Sequence, residues 1–407
     1  MDFFQVISLD EAIARLQKQF ADNPLEIETV CLLEAQNRFL AEDLYAAENV
    51  PDFNRSTVDG YAVKAADTFG AGEALPSLLI AAGAVRMGQK AEMTLKKGQA
   101  VAVPTGGMLP EGADSVVMVE YSEQFDADTI AVYKPVSPGE NVIARGDDMR
   151  QGDVILKRGT WLSAKHIAML AACGISRVNV YRPIRFAIIS TGDEIIEIDQ
   201  PQAIGQIRDI NSYGLASIIC QWGGNVTYRA IVRDDYEALK QAMTEGLEQA
   251  DVLLTSGGSS VGERDYTYRL MQELCKDDVF VKGIAIKPGK PTIAGKSDGK
   301  PVIGLPGHPS AAMTVFRVLM SAVMKQWGLY LEETLVPARL SVNLPSSPGR
   351  TTFQMVQLEA NENGFTAVPI FGKSGMIHLL GRSDGYIVLE AHQEGLEQNQ
   401  QVLVHLL

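Results

Sequence analysis

The sequence predicts a multidomain α/β plus β protein, with a central doubly wound, mostly parallel α/β domain, an inserted β-rich domain and a small C-terminal β-barrel. A chain of 407 residues exceeds what one hydrophobic core normally supports. From residue 185 to about 327, apolar strands alternate with helical patterns, which indicates a parallel sheet with helices on both faces. On both sides of that stretch, short apolar runs are separated by glycine and proline, which favours β-rich domains.

The first half is expected to be discontinuous. Ser8 and Glu11 form a capping-box pattern ahead of an amphipathic helix that runs to about Phe20, and a second helical pattern covers residues 32–44. Strand patterns follow at residues 100–103, 115–119 and 129–132 before mixed structure returns. The predicted domains are a mixed α/β domain (1–49 with 141–180), an inserted β-rich domain (50–140), an α/β domain (181–330) and a C-terminal β-barrel domain (331–407).

In the α/β domain, the strand and helix patterns alternate regularly. Strands are predicted at residues 186–189, 226–232, 252–255, 291–294 and 302–305, and helices at 212–221, 236–249, 265–274 and 310–327. After residue 337 the pattern is again β, with residues 361–364 as a hairpin turn. Because ligands of such sheets bind beyond the carboxyl ends of the strands, the polar loops there are the candidate site.

Charge and composition exclude several classes of function. The net charge is −14 and the pI is about 4.9, so a nucleic-acid partner is not expected. The apolar stretches are too short for a membrane span and no secretory signal opens the chain, so a cytoplasmic location is predicted. Four scattered cysteines and five scattered histidines show neither metal-ligand nor disulfide spacing.

One segment is locally basic. Residues 264–300 carry eight basic and five acidic side chains, a net charge of +3 within an acidic protein. This island favours a small anionic ligand, while a solvated helix face and hairpin is the simpler explanation for several of its lysines.

The most informative loop is TSGGSSVGERD at residues 255–265, which directly follows a buried strand. Gly257 and Gly258 allow positive φ and bring backbone N–H groups close to an anion. Ser256 and Ser259 add hydroxyl donors, and Asp265 lies where it can reach a metal ion or a nucleotide hydroxyl. By itself, the loop also fits a tight turn that binds nothing.

Three further loops strengthen the prediction of an anion site. The segment STGDE places Glu194 at a strand end, where Asp265 and Asp234 could join it as oxygen ligands of Mg²⁺; simple solvent exposure is the alternative. The segment IKPGKP presents Lys287 and Lys290 from a proline-stiffened loop.

The last of these loops is GLPGHP, which contains Pro306 and Pro309 and leads into a helix whose N-terminus would attract an anion; a capped helix with nothing bound is the alternative. Asp59, in the DGYA segment, and Thr105, in the PTG segment, lie in the first half; by spacing alone they belong to ordinary turns.

Together these segments resemble the molybdopterin molybdenumtransferase family, which includes the E domain of gephyrin. The motifs occur in family order across nearly the whole chain: DGYA (59–62), PTG (104–106), RGDD (145–148), STGDE, RDD, SGGSSVGERDY, IKPGKP and GLPGHP. The resemblance implies a molybdopterin-binding type of α/β domain. It implies insertion of molybdate into adenylylated molybdopterin with release of AMP, with Mg²⁺ as cofactor.

The resemblance also implies roles and partners. The catalytic set it implies is Asp59, Thr105, Asp148, Glu194, Asp234, Asp265 and Lys287, with Glu194 and Asp265 at the metal. The binding set is Ser256, Gly257, Gly258, Ser259, Lys287, Lys290, Pro291, Pro306 and Pro309. The implied partners are a second copy of the chain in a homodimer with shared sites, the molybdopterin adenylyltransferase, and downstream apo-molybdoenzymes.

The chain differs from the family pattern at one turn. His308 stands where many family members have asparagine, and Ser310-Ala311 replaces Val-Ser, so contacts from that turn are in question.

Two other functions stay open. The rival enzyme is the adenylyltransferase itself, which usually is one short domain with a TTGGTG loop. A binding scaffold that does not turn over the ligand is the third hypothesis.

Overall fold

The structure is a computed structural model that describes residues 5–22, 25–257, 266–276 and 278–407. It contains two compact units: residues 43–157 with 164–176, and residues 1–42 with 158–163 and 177–407. The four predicted domain boundaries remain a prediction. In the described part of the chain, no helix combines the length and apolar character needed to cross a membrane.

The elements up to residue 181 are mostly short strands. They are α1 (Leu9–Gln19), β1 (Ile27–Cys31), β2 (Leu44–Tyr45), β3 (Arg55–Ser56), β4 (Gly60–Val63), β5 (Ser77–Ala84), β6 (Gln99–Val103), β7 (Ser115–Met118), β8 (Ser122–Gln124), β9 (Thr129–Val132), β10 (Val142–Ile143), β11 (Val154–Leu156), α2 (Ala164–Ala172) and β12 (Arg177–Tyr181). The predicted first helix is confirmed as α1, and the Ser8 hydroxyl accepts from the Glu11 N–H.

The helix predicted over residues 32–44 is wrong. Only a 3-10 turn forms, at Leu32–Ala35, and Asn37 then takes a left-handed conformation with φ 60°. The N–H groups of Leu40 and Ala41 donate to the carbonyls of Thr160 and Asn179. Because these backbone donors pair with distant segments, the local helical pattern is overridden.

The unit that contains residues 43–157 is built on a six-stranded sheet in the order β7-β4-β6-β5-β9-β8. Its strands β6, β7 and β9 confirm the strands predicted from the sequence pattern. Apolar side chains from the sheet enter two separate clusters, for example Val117 and Ile130 in one, and Val101 and Val116 in the other.

The α/β region is built from longer elements. They are β13 (Arg185–Thr191), β14 (Ile195–Ile196), β15 (Ile207–Arg208), α3 (Asn211–Gln221), β16 (Asn225–Val232), α4 (Tyr236–Gln249), β17 (Val252–Ser256), α5 (Tyr266–Leu274), β18 (Val279–Lys282), β19 (Ile286–Lys287), β20 (Ile293–Ser297), β21 (Lys300–Leu305) and α6 (Pro309–Gln326). The sheet order is β16-β13-β17-β21-β20-β18. The first four strands are parallel, and only β20 runs in the opposite direction, since it pairs antiparallel with both β21 and β18; the prediction of a mostly parallel sheet is therefore confirmed.

Helices cover both faces of this sheet. On β13, Phe186 and Ile188 pack into one core with residues of α3 and α6. The alternate residues Ala187 and Ile189 pack into another core with residues of α4 and α5. Successive strand residues point to opposite faces, so this division is the signature of the doubly wound arrangement predicted from the sequence.

The C-terminal region confirms the predicted small barrel. Its elements are β22 (Leu335–Leu340), β23 (Leu344–Pro345), β24 (Thr351–Asn361), β25 (Gly364–Pro369), α7 (His378–Arg382), β26 (Gly385–Leu389), β27 (Gly395–Leu396) and β28 (Gln401–Leu406). The order β24-β25-β22-β28-β26 closes on itself through the β24–β26 pairing. The predicted hairpin turn joins β24 to β25.

A buried carboxylate joins the end of β12 to the start of the central sheet. Asp251, 7% exposed, accepts from Arg182 Nη1 at 2.6 Å and from Arg185 Nη2 at 3.0 Å. Burial opposes ionisation, but these hydrogen bonds outweigh it and lower the pKa of Asp251 to about 2.

This ion pair predicts a stability change in acid. Because the pKa of Asp251 is lowered on folding, its ionised carboxylate stabilises the fold at pH values above the ordinary carboxyl pKa of 3.8. This stabilisation is lost as the pH falls towards 2. We expect Asp251→Asn to cost about 2 kcal/mol of unfolding free energy at pH 7 and little at pH 2, measured by urea unfolding. Asp298→Asn, which breaks an exposed pair with Lys276, is the control. Equal losses in both variants would contradict the account.

Candidate active site

The candidate site lies at the carboxyl edge of the parallel strands. Strands β13, β16, β17 and β21 run in one direction, so the segments that follow them leave the sheet on the same side. Those segments are the polar loops predicted from the sequence, and direct contacts join them.

The turn after β13 is bonded to the turn after β16. Thr191 Oγ1 donates to Asp234 Oδ1 at 3.0 Å, and the Asp234 N–H donates to Asp193 Oδ1 at 3.3 Å. The Gly192 N–H donates to the Val232 carbonyl at 3.2 Å. Asp234 is exposed, so its carboxylate is fixed by Thr191 while solvent reaches it.

The turn after β17 approaches the same loop closely. Gly257 has φ +103°, and a Cβ at this position would lie 2.2 Å from the Thr191 carbonyl oxygen. A Cβ on Gly307, in the turn after β21, would lie 3.8 Å from Gly257 Cα. Three strand-end turns therefore meet at Gly257, and only glycine allows both the conformation and the approach.

A residue not predicted from the sequence ties these turns together. Asn211, the first residue of α3, donates from Nδ2 to Ser256 Oγ at 2.6 Å and to the Gly307 carbonyl at 2.8 Å. Its side chain thus joins the turn after β17 to the turn after β21. The available signal was the run RDINS at residues 208–212, a cluster of polar residues at a helix start.

Asp209 was also missed, and it fixes the start of α3 to β13. This residue is only 3% exposed and accepts from Ser190 Oγ at 2.9 Å and from the Ser212 N–H at 3.1 Å. Arg229 lies 3.7 Å from its carboxylate. Burial lowers the pKa of Arg229, but Glu197 and Asp209 outweigh that effect and raise it. The guanidinium thus stays charged beside the buried carboxylate.

The GLPGHP turn begins α6 as predicted, with Pro309 as the first helical residue and Pro306 buried. His308 Nδ1 lies 2.7 Å from Ser374 Oγ, and Ser310 Oγ donates to the Ser374 carbonyl at 2.9 Å. His308 and Ser310 therefore hold a loop of the C-terminal barrel against this turn.

The lysine loop lies on α6, but its first lysine faces the barrel. A Cβ on Gly289 would lie 2.4 Å from Val315 Cγ2, so the loop packs on this helix. Lys287 is exposed, and its Nζ donates to Ser347 Oγ at 3.0 Å. Lys290 is also exposed and Pro291 is half-buried. The contacts that unite the other turns do not include these three side chains.

The metal site at Glu194 and Asp265 stays a prediction. Glu194 is exposed, and its carboxylate folds back so that a Cβ on Gly192 would lie 2.7 Å from Oε2. Glu194 and Asp234 are hard oxygen donors on two bonded turns, which suits Mg²⁺ by donor chemistry. Within the described ranges, no three histidine, cysteine or acidic side chains are grouped as metal ligands. Asp265, Gly258 and Ser259 lie outside the described residues.

The predicted residues of the first half belong to the other compact unit. Asp59 Oδ1 accepts from the Thr105 N–H at 2.7 Å and from Thr105 Oγ1 at 3.1 Å, so these two residues are together. Asp148 donates its N–H to the Val50 carbonyl at 3.1 Å. Burial, with a smaller contribution from the Asp148 carboxylate, raises the pKa of the Cys173 thiol.

Comparisons with known proteins agree along the chain. Three protein-family models match the chain. The family model for the MoeA N-terminal region (domain I and II) matches residues 7–174, and the family model for a probable molybdopterin binding domain matches residues 187–326. The family model for the MoeA C-terminal region (domain IV) matches residues 337–407.

Similar proteins cover nearly the whole chain. A putative molybdopterin biosynthesis protein of Methanocaldococcus jannaschii is 38% identical over 98% of this chain and 97% of its own length. The molybdopterin molybdenumtransferase of Haemophilus influenzae is 32% identical over 99% and 100%. A crystal structure of the molybdopterin biosynthesis moeA protein from Pyrococcus horikoshii OT3 has a TM-score of 0.81 at 31% identity and covers 99% of this chain and 100% of that one. From these matches, the chain belongs to the MoeA family, whose curated bacterial members carry the name molybdopterin molybdenumtransferase.

Proposed function

We propose that this protein is a molybdopterin molybdenumtransferase, which inserts molybdate into adenylylated molybdopterin with release of AMP. The observation that carries the proposal is the meeting of the turns after β13, β17 and β21 at Gly257. Backbone N–H groups and hydroxyls gathered at one sheet edge, beside the N-terminus of α6, form an environment that stabilises phosphate and oxyanion groups. Full-length similarity to named molybdenumtransferases supports the same reaction.

Each group of predicted site residues is assigned to one part of the substrates according to its chemistry. We assign Ser256, Gly257, Gly258 and Ser259 to the nucleotide and pterin phosphate. Lys287, Lys290 and Pro291 are assigned to molybdate, because ammonium groups on a stiff loop compensate a tetrahedral dianion at little entropic cost. Pro306, Pro309 and Asp234 shape the cleft.

For the metal, we propose Mg²⁺ held by Glu194 and Asp265 with Asp234 beside them. When bound, the ion would screen the negative charge of the substrate phosphate. Among these carboxylates, that of Asp234 is held in place by the Thr191 hydroxyl, which donates to it.

We further propose a homodimer in which Asp59, Thr105 and Asp148 of one copy complete the site of the other. The support is the family resemblance and the Asp59–Thr105 contact, which fixes two of these residues as one unit. Native mass spectrometry tests this, since a mass of one chain, 44.1 kDa, under assay conditions would exclude a shared site. The cytoplasmic location and the exchange with adenylyltransferase and apo-molybdoenzymes remain predictions.

The deciding experiment is an AMP-release assay. We expect purified protein to bind adenylylated molybdopterin and to release AMP only when molybdate and a divalent cation are present. Tight binding without molybdate-dependent AMP release would favour a scaffold. Formation of adenylylated molybdopterin from ATP and molybdopterin would favour the adenylyltransferase. Either result would replace the proposed function.

A further inference from the structure

We propose that Asn211 is a positioning residue of this site, which orients the Ser256 hydroxyl so that its proton is available to the phosphate of the bound ligand. This inference rests on the proposed function. It concerns a side chain that lies 45 residues before Ser256 in the sequence.

The geometry uses both amide protons of Asn211. An amide NH₂ group has two protons, and here one points to Ser256 Oγ at 2.6 Å and the other to the Gly307 carbonyl at 2.8 Å. Asn211 is 9% exposed and Ser256 is 1% exposed, so water does not compete effectively for these hydrogen bonds.

This contact sets the direction of the Ser256 hydroxyl. Because Oγ accepts from Asn211, the single Ser256 proton points elsewhere, and the hydroxyl is polarised for donation. Ser256 is the last residue of β17 and precedes Gly257, where three turns meet. A phosphate oxygen at this edge is the acceptor that such a hydroxyl suits.

A second observation indicates that Asn211 faces a ligand. Its Oδ1 atom is buried and has no hydrogen-bond partner among the described residues. A buried acceptor without a partner costs free energy, so a fold retains one chiefly where a ligand or function compensates for it. The two hydrogen bonds donated by Nδ2 fix the orientation of the amide, and with it the position of Oδ1.

The test is a double-mutant cycle measured by titration with adenylylated molybdopterin. We expect Asn211→Ala and Ser256→Ala each to raise Kd about tenfold, the effect of one lost hydrogen bond to a charged group. If Asn211 acts through Ser256, the double variant should also lose about tenfold rather than a hundredfold. The isosteric Asn211→Asp should bind more weakly than Asn211→Ala, because its carboxylate repels the phosphate and has no N–H to donate.

Controls separate this inference from folding and from the proposed function. Asn225→Ala, at the exposed amino end of β16, should bind as the wild type does, and thermal unfolding should show each variant folded. Asn211→Asp keeps the side-chain volume, so it remains informative if Asn211→Ala is unstable. Two results would overturn this inference and leave the proposed function standing, provided that the wild type binds the ligand. One is a double variant whose loss of affinity equals the product of the two single losses. The other is an unaltered Kd in the Asn211 variants. Absence of wild-type binding and AMP release would overturn the proposed function and this inference with it.

Discussion

Gly257→Ala is expected to reduce molybdate-dependent AMP release by at least about 100-fold while the protein still folds. The added Cβ would lie 2.2 Å from the Thr191 carbonyl oxygen, so the turns after β13 and β17 must separate. A displacement of about 1 Å at a reacting site costs roughly 100-fold in rate. The same change costs roughly 1–2 kcal/mol of stability, since φ +103° is unfavourable for alanine.

Gly299→Ala is the matched control for this prediction. Gly299 also has positive φ, at +86°, but no atom lies within 4 Å of its added Cβ, and it belongs to the β20–β21 hairpin at the opposite edge of the sheet. Both variants should lower the thermal midpoint, and only Gly257→Ala should lose activity. Normal AMP release by Gly257→Ala would show that the contact between the turns is not needed.

Lys287→Ala is expected to raise the KM for molybdate by roughly 10- to 100-fold, because it removes one charge-assisted hydrogen bond to this anion. The Kd for AMP should change little. Lys287 is exposed, and its ammonium donates to the neutral Ser347 hydroxyl, so this hydrogen bond does not neutralise its charge. Steady-state kinetics across molybdate concentrations measures the effect.

Lys276→Ala removes the same charge from the same basic segment and serves as the control. Lys276 is paired with Asp298 at 2.9 Å, and both side chains are 79% exposed. Its loss should leave the KM unchanged. If both variants raise KM equally, the effect of Lys287 is one of net charge and the oxyanion pocket is assigned wrongly.

Much of the fold was predictable because the pattern of the α/β region is local. Helix α4 begins and ends where the sequence pattern predicts, and the hairpin between β20 and β21 follows from its turn residues. The short edge elements β18 and β19 were not predicted, since such short runs carry little periodicity. The helix expected at 32–44 failed because its backbone donors pair with residues more than 100 positions away.

The sequence predicted the glycines of the site but not the side chains that hold its turns together. Gly257 follows a buried strand, so its place at the sheet edge is readable from the chain. Asn211 acts through contacts 45 and 96 residues away, and no local pattern reveals such pairs. By spacing alone, Asp59 and Thr105 belonged to ordinary turns; their mutual hydrogen bonds are local to one unit, and their part in catalysis remains a prediction.

We propose that the strand-end turns at Thr191, Gly257 and Gly307 surround one anion-binding site, and a crystal structure soaked with AMP and molybdate would show where each ligand binds. We predict phosphate density within hydrogen-bond distance of Ser256 Oγ and the Gly257 N–H, with molybdate on the side of Lys287. Ordered AMP or molybdate bound only at surfaces remote from these turns would contradict the account.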